Sequence, residues 1–147
     1  SDPNSLNDPD TYEGNFWREP NCQDPQNNDF CGVHTNSGVL NYWYIVLAEG
    51  DSGINDNNDS YDIDGIGSDK AADIVYRAQT TYFTRTTNFF QARLHTLNAA
   101  EDLYGPNSLE VVTVNNAWYA VGIGDQIAGQ LDGEDCACAG FGTTYTL

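Results

Sequence analysis

The stretch Asn28-Asp29-Phe30-Cys31-Gly32-Val33-His34-Thr35-Asn36-Ser37-Gly38 divides the chain into two kinds of sequence. Before it lies a segment rich in Asp, Asn and Pro; after it the apolar residues fall into helical periods. His34 stands at the junction and is one of 2 histidines in 147 residues. Asp29 precedes it in the same loop, and a carboxylate that binds one ring nitrogen fixes the tautomer and leaves the other nitrogen to act. The plainer reading is a surface histidine near a helix start, and the local residues leave both open.

Working outward toward the C-terminus, a helix is expected from Thr35, with Thr35 or Ser37 as N-cap and Gly50 as stop. Its Val39, Leu40, Trp43, Tyr44, Val46 and Leu47 are apolar almost all round, which makes it central. Residues 50–65 read as a flexible, solvated acidic loop. Its Asp62-x-Asp64-Gly65 ending resembles part of an EF-hand. However, position one would be Ser60 and the bidentate acid would fall on Ala71, so only a weak calcium site of another kind is the alternative there.

Ser68 is expected to cap a second helix, Asp69 to about Phe83, with Ala71, Ile74, Val75, Ala78 and Tyr82 on one face. Asn88 starts a third, with Phe90, Leu94, Leu97, Ala100 and Tyr104 inward, and with Gly105 and Pro106 ending it. His95 on that helix reads as a partly buried or surface histidine without a catalytic role. Asn107 with Glu110 has the spacing of a capping box for a fourth helix carrying Val111, Val114, Trp118 and Val121 to Gly122. The fold class is therefore all-α: a compact bundle of about four to five helices, with a long irregular N-terminal segment and a coil-rich C-terminal tail.

Toward the N-terminus, residues 1–30 carry turn signals, with Tyr12, Phe16 and Trp17 as aromatic anchors for ordered coil. The 4 cysteines form two local pairs. Joining Cys22 to Cys31 would remove roughly 2.5–3 kcal/mol of unfolded-state freedom and would imply an oxidising compartment. Cys136 and Cys138 could form a strained bridge, stay as free thiols, or pair with the other two. A zinc site built on two ligands with no histidine nearby is weak.

Acidic residues outnumber basic ones 22 to 5, for a formal charge of −17. Such a chain repels phosphates and anionic membranes, so neither nucleic acid nor membrane is an expected partner. No run of about 18 apolar residues is present. The opening on Ser1-Asp2-Pro3 without methionine reads as the inside of a longer precursor. Gly-rich phosphate loops, G-x-S-x-G elbows and long repeats are missing from the sequence.

Taken together, these motifs resemble the C-terminal helical subdomain of thermolysin-like neutral zinc metallopeptidases, the M4 family. The resemblance rests on Ser1-Asp2-Pro3; on Cys31-Gly32-Val33-His34-Thr35-Asn36-Ser37-Gly38, where the family has G-G-V-H-x-N-S-G; and on Asn41-Tyr42-Trp43-Tyr44. It continues through Gly65-Ile66-Gly67-x-Asp69-Lys70-Ala71, Tyr76-Arg77-Ala78, Thr87-Asn88-Phe89-x-Gln91-Ala92-Arg93, Asp102-Leu103-Tyr104-Gly105 and Ala117-Trp118-x-Ala120-Val121-Gly122. It covers residues 1–122, of which 1–34 form the irregular segment ending in the histidine loop. Residues 123–147 are left as an extension or linker without assigned chemistry.

The resemblance implies a secreted, extracellular zinc endopeptidase that cuts on the amino side of bulky apolar residues. It implies that His34 stabilises the tetrahedral intermediate, with Asp29 orienting it. Zinc would be bound through H-E-x-x-H and a downstream glutamate on an N-terminal β-rich subdomain, the expected partner together with a protein or peptide substrate. This sequence contains no H-E-x-x-H, so the 147 residues alone are expected to bind no catalytic zinc and to be inactive. Cys31 stands where the family has glycine and, with Cys22, suggests a staple beside the loop. The alternative from another class is a non-enzymatic, secreted acidic helical module that binds calcium or a protein.

Overall fold

The computed structural model describes residues 3–127. Four helices dominate it: α1 Ser37–Glu49, α2 Ser68–Thr81, α3 Phe89–Tyr104 and α4 Leu109–Ala120. Each packs on the next and α4 returns to α1, closing a ring of four. The structure is thus the mostly helical bundle that the apolar periods predict. Cys136 and Cys138, and most of the expected tail, lie outside the described residues.

The core follows from the helical faces. Val39, Val46 and Leu47 of α1, Ile74 of α2, Ala99 and Ala100 of α3, and Val114 and Trp118 of α4 are all fully buried. Trp43 and Trp118 stack with centroids 4.7 Å apart, and the Trp118 indole N–H donates to Thr96 Oγ1 at 2.9 Å. This bond satisfies a polar group that would otherwise be buried without a partner. Gly50 and Gly105 end α1 and α3 at φ 78° and 88°, a conformation that glycine takes without a steric cost.

Several local expectations are corrected. Residues 50–65 are not a flexible loop but an antiparallel hairpin, β1 Gly50–Ile54 and β2 Ser60–Asp64, with Gly50 opposite Asp64 and Ile54 opposite Ser60. Its turn is built by Asn55, whose side-chain oxygen accepts the N–H groups of Asn57 and Asp59. The hairpin is tied to α1 where the Tyr42 hydroxyl donates to Asp51 and meets the Tyr61 hydroxyl at 2.9 Å. Burial and these acceptors push the Tyr42 phenol far above its usual range. Phe90, expected inward, is 55% exposed and lies edge-on to Tyr12. Val75, Tyr82 and Tyr104 are half-buried but pack against the core as expected; Leu94 is half-buried, and Phe16 is exposed while its neighbour Trp17 packs.

The caps also differ in part. Asn88 and Gln91 form a complete capping box on α3. In α4, by contrast, Ser108 caps by accepting from the Val111 N–H, and Glu110 turns instead to Lys70. The residue before α2 is Gly67, with no side-chain cap from Ser68. The residue before α1 is Asn36, and neither Thr35 nor Ser37 caps that helix.

The N-terminal segment is held by contacts spread along its length. The Tyr12 N–H donates to the Val121 carbonyl at 2.8 Å, and its ring meets Trp17 and Phe89 at 4.8 and 5.6 Å. Thr11 is fully buried, and its hydroxyl accepts the Asp56 N–H at the hairpin turn. Cys22 and Cys31 are joined in a disulfide, as expected of that pair.

Candidate active site

Asp29 organises the junction. Its Oδ2 accepts the backbone N–H groups of His34 and Thr35 at 3.0 and 2.6 Å and the Thr35 hydroxyl at 2.8 Å. Its Oδ1 lies 2.7 Å from His34 Nδ1. These donors, led by the Thr35 N–H and followed by the His34 ring, hold the Asp29 carboxyl well below the usual carboxylate range. An ionised carboxylate only accepts, so the proton of this contact belongs to Nδ1. Nε2 is then the atom left for chemistry. The His34 side chain is 79% exposed and Asp29 21%, so the ring is presented outward from a carboxylate anchored behind it.

The backbone makes this possible through an unusual turn. Phe30 and Cys31 occupy the left-handed helical region, at φ/ψ 49°/46° and 64°/41°. Asp29 and Gly32 flank them at φ 50° and 80°. Gly32 and Val33 N–H groups donate to the carbonyls of Asn28 and Asp29 at 3.0 Å, closing a single left-handed turn. For residues with a β-carbon this region costs roughly 1–2 kcal/mol each, and charge-assisted bonds to Asp29 offset it. Behind the turn, Asn36 is buried and clamps Arg18: the Arg18 N–H donates to Asn36 Oδ1 at 2.9 Å, and Asn36 Nδ2 donates to the Arg18 carbonyl at 2.8 Å. The Ser37 hydroxyl donates to the His34 carbonyl, fixing the start of α1.

The two residues singled out from sequence, His34 and Asp29, are therefore brought together. Three contributors were missed. Thr35 was read as a cap but serves as a double donor to Asp29, a role hinted at by a hydroxyl residue beside a histidine in an Asp-led loop. Asn36 grips a residue 18 positions away, and the left-handed turn spans residues other than glycine; neither leaves a local signal. His95, expected as a partly buried or surface histidine, is half-buried, with ring centroids 6.1 Å from Tyr82 and 5.6 Å from Phe83.

Among the described residues, no group of three or more His, Cys, Asp or Glu side chains is gathered to hold a metal ion. The donors among these described residues do not fit a zinc centre of their own, and the acids of the hairpin form no calcium cage. What the geometry defines is a helical domain that presents one exposed imidazole oriented by a carboxylate.

That class acquires a family from comparison with known proteins. Residues 1–123 match the thermolysin metallopeptidase, alpha-helical domain. Bacillolysin of Bacillus cereus is 42% identical over 123 residues, 84% of this chain and 19% of that protein. Thermolysin of Alicyclobacillus acidocaldarius subsp. acidocaldarius is 41% identical over 123 residues, 84% of this chain and 20% of that protein. Bacillolysin of Brevibacillus brevis is 37% identical over 122 residues, 83% of this chain and 21% of that protein. The chain belongs to the thermolysin-like M4 metallopeptidase family, as its α-helical domain. It spans about a fifth of the length of these relatives.

Proposed function

We propose that these residues are the C-terminal helical part of a secreted zinc-dependent endopeptidase, and that His34 stabilises the tetrahedral intermediate of peptide-bond hydrolysis. The observation that carries this reading is the binding of one Asp29 carboxylate to both the ring and the backbone of an exposed histidine. The names of the relatives, thermolysin and bacillolysin, support a peptidase parent.

When water adds to a peptide carbonyl, negative charge collects on the carbonyl oxygen. A fixed donor at that oxygen lowers the barrier because it is oriented before the charge appears. With Nδ1–H directed to Asp29, Nε2 donates only when the ring carries both protons, and the Asp29 carboxylate supplies the counter-charge. His34 is thus an electrophilic donor rather than a metal ligand or general base.

The zinc ligands belong to an N-terminal β-rich subdomain carrying H-E-x-x-H, which is the partner of residues 1–122 and, with them, takes the protein or peptide substrate. Residues 123–147 form an extension or linker. Without that partner the isolated chain is inactive, since its sequence contains no H-E-x-x-H. The enzyme works outside the cell, in keeping with the Cys22–Cys31 disulfide.

The test is His34→Ala in the complete reading frame, assayed on a casein-type substrate. The expected result is a kcat lowered by about 10²–10³-fold with KM little changed. An unchanged kcat refutes the role of His34, and a reading frame without H-E-x-x-H refutes the parent enzyme.

A further inference from the structure

The histidine loop is built almost without apolar packing. Between Arg18 and Gly38 no hydrophobic side chain enters the buried core. Gln23, Asp24, Pro25, Gln26 and Asn27 are exposed, and Phe30 and Val33 are 65% and 61% exposed. What holds the turn is polar, through Asp29, Asn36 and Arg18, apart from a single covalent tie. That tie ends inside the left-handed turn itself, at Cys31, and crosses the exposed segment to Cys22. Both cysteines are half-buried, within reach of a small reductant.

We propose that the Cys22–Cys31 disulfide is a redox latch on His34, and that its reduction by a dithiol releases the left-handed turn and loosens the Asp29–His34 geometry. A thiolate of the dithiol attacks one sulfur and displaces the other cysteine as thiolate, forming a mixed disulfide. The second thiol of the reductant then closes on the first, leaving the reductant oxidised by two electrons and both cysteines as thiols once protonated. Freed of the bridge, Phe30 and Cys31 favour right-handed or extended backbone. The carboxylate then moves relative to the ring and to the N–H groups of His34 and Thr35. The consequence for catalysis rests on the function proposed for His34; the structural coupling does not.

Amide hydrogen exchange on the 147-residue chain measures that coupling directly, because the His34 and Thr35 N–H groups are donated to Asp29. In dithiothreitol both amides are expected to exchange about 10-fold faster or more, reversibly on reoxidation, while Val46 and Val114 in the core stay slow. Cys22→Ser/Cys31→Ser should match the reduced protein. Cys22→Ser/Cys31→Gly should recover much of the protection, since glycine adopts the left-handed conformation freely. Unchanged exchange at His34 and Thr35 on reduction overturns the latch, as does a loss of protection that extends equally to Val46 and Val114. If the serine variant does not fold, reduction of the wild-type chain decides the matter. A loop that loosens on reduction, in an enzyme whose kcat is indifferent to His34→Ala, leaves the latch standing and removes the catalytic reading.

Discussion

Asp29 Oδ1 lies 2.7 Å from His34 Nδ1 while Oδ2 of the same carboxylate accepts the His34 N–H. The ring and the chain that carries it are thus referenced to one group, and Thr35 adds two more donors to that group. Asp29→Asn keeps the shape but replaces one acceptor oxygen with a donor, which must then face either the ring N–H or the Thr35 N–H. In the complete enzyme this substitution is expected to lower kcat by about 10–100-fold, as is typical when an orienting partner is lost. Steady-state kinetics check it: a fall in activity carried by KM alone would mean that Asp29 holds the loop for binding rather than orienting the donor.

The same contacts set an acid limit. The folded carboxyl of Asp29 is depressed far below its usual value, so its contribution is complete above the unfolded value of about 3.9. That contribution is lost as pH falls through the unfolded value toward the folded one. The stability difference between wild type and Asp29→Ala should be constant from neutrality to about pH 5 and shrink below about pH 4. Urea unfolding across that range provides the measurement; a difference that grows on acidification has the wrong sign.

How much of this was legible beforehand depended on the range of the forces involved. The helices came from apolar periods such as Val111, Val114 and Trp118, and the α3 cap from Asn88, because those signals lie within a few residues. The hairpin at 50–65 did not: S-Y-D-I-D alternates, with Tyr61 and Ile63 turned inward, but it is only five residues long and its partner G-D-S-G-I offers a single apolar side chain, Ile54, which is exposed. The two strands are held by the Tyr42–Asp51–Tyr61 contacts and by Asn55. Phe90 was misassigned because Tyr12, far away in sequence, offers its ring at the surface. At the site, His34 and Asp29 were visible as a pair, and the role proposed for them came from the resemblance. The left-handed turn was hidden because no local preference of Phe or Cys asks for it.

The cap assignments separate by mutation. Asn88 accepts from the Gln91 N–H at 2.9 Å, so Asn88→Ala should cost about 1 kcal/mol. Ser68 stands at the start of α2 without capping it, so Ser68→Ala should stay within about 0.5 kcal/mol of wild type. Thermal unfolding of both variants decides; equal losses would show that Ser68 caps after all.

Trp43 and Trp118, the two bulkiest fully buried side chains among the described residues, stack within the ring of helices. Trp118→Ala leaves a cavity between α1, α3 and α4 and should cost about 3–5 kcal/mol. Trp118→Phe keeps a ring but withdraws the donor from Thr96 Oγ1, for a smaller loss of about 1–3 kcal/mol. Denaturant midpoints at unchanged slope test the order of the two.

Net charge gives the last prediction. With 22 acidic against 5 basic residues, the folded chain concentrates like charge that the unfolded chain spreads out. Pairs such as Lys70–Glu110 and Arg77–Asp102 relieve it only locally. Raising salt from 0.1 to 1 M shortens the screening length from about 10 to about 3 Å. Repulsion between exposed carboxylates should fade more than those close pairs weaken. The Tm is expected to rise by a few degrees, corresponding to about 1 kcal/mol, and by the same amount in sodium and potassium chloride. Calcium at matched ionic strength should add nothing further, because the hairpin acids are not gathered into a cage. A flat or falling Tm in both chlorides would show that the paired charges outweigh the repulsion. A calcium-specific rise would place a binding site where the geometry shows none.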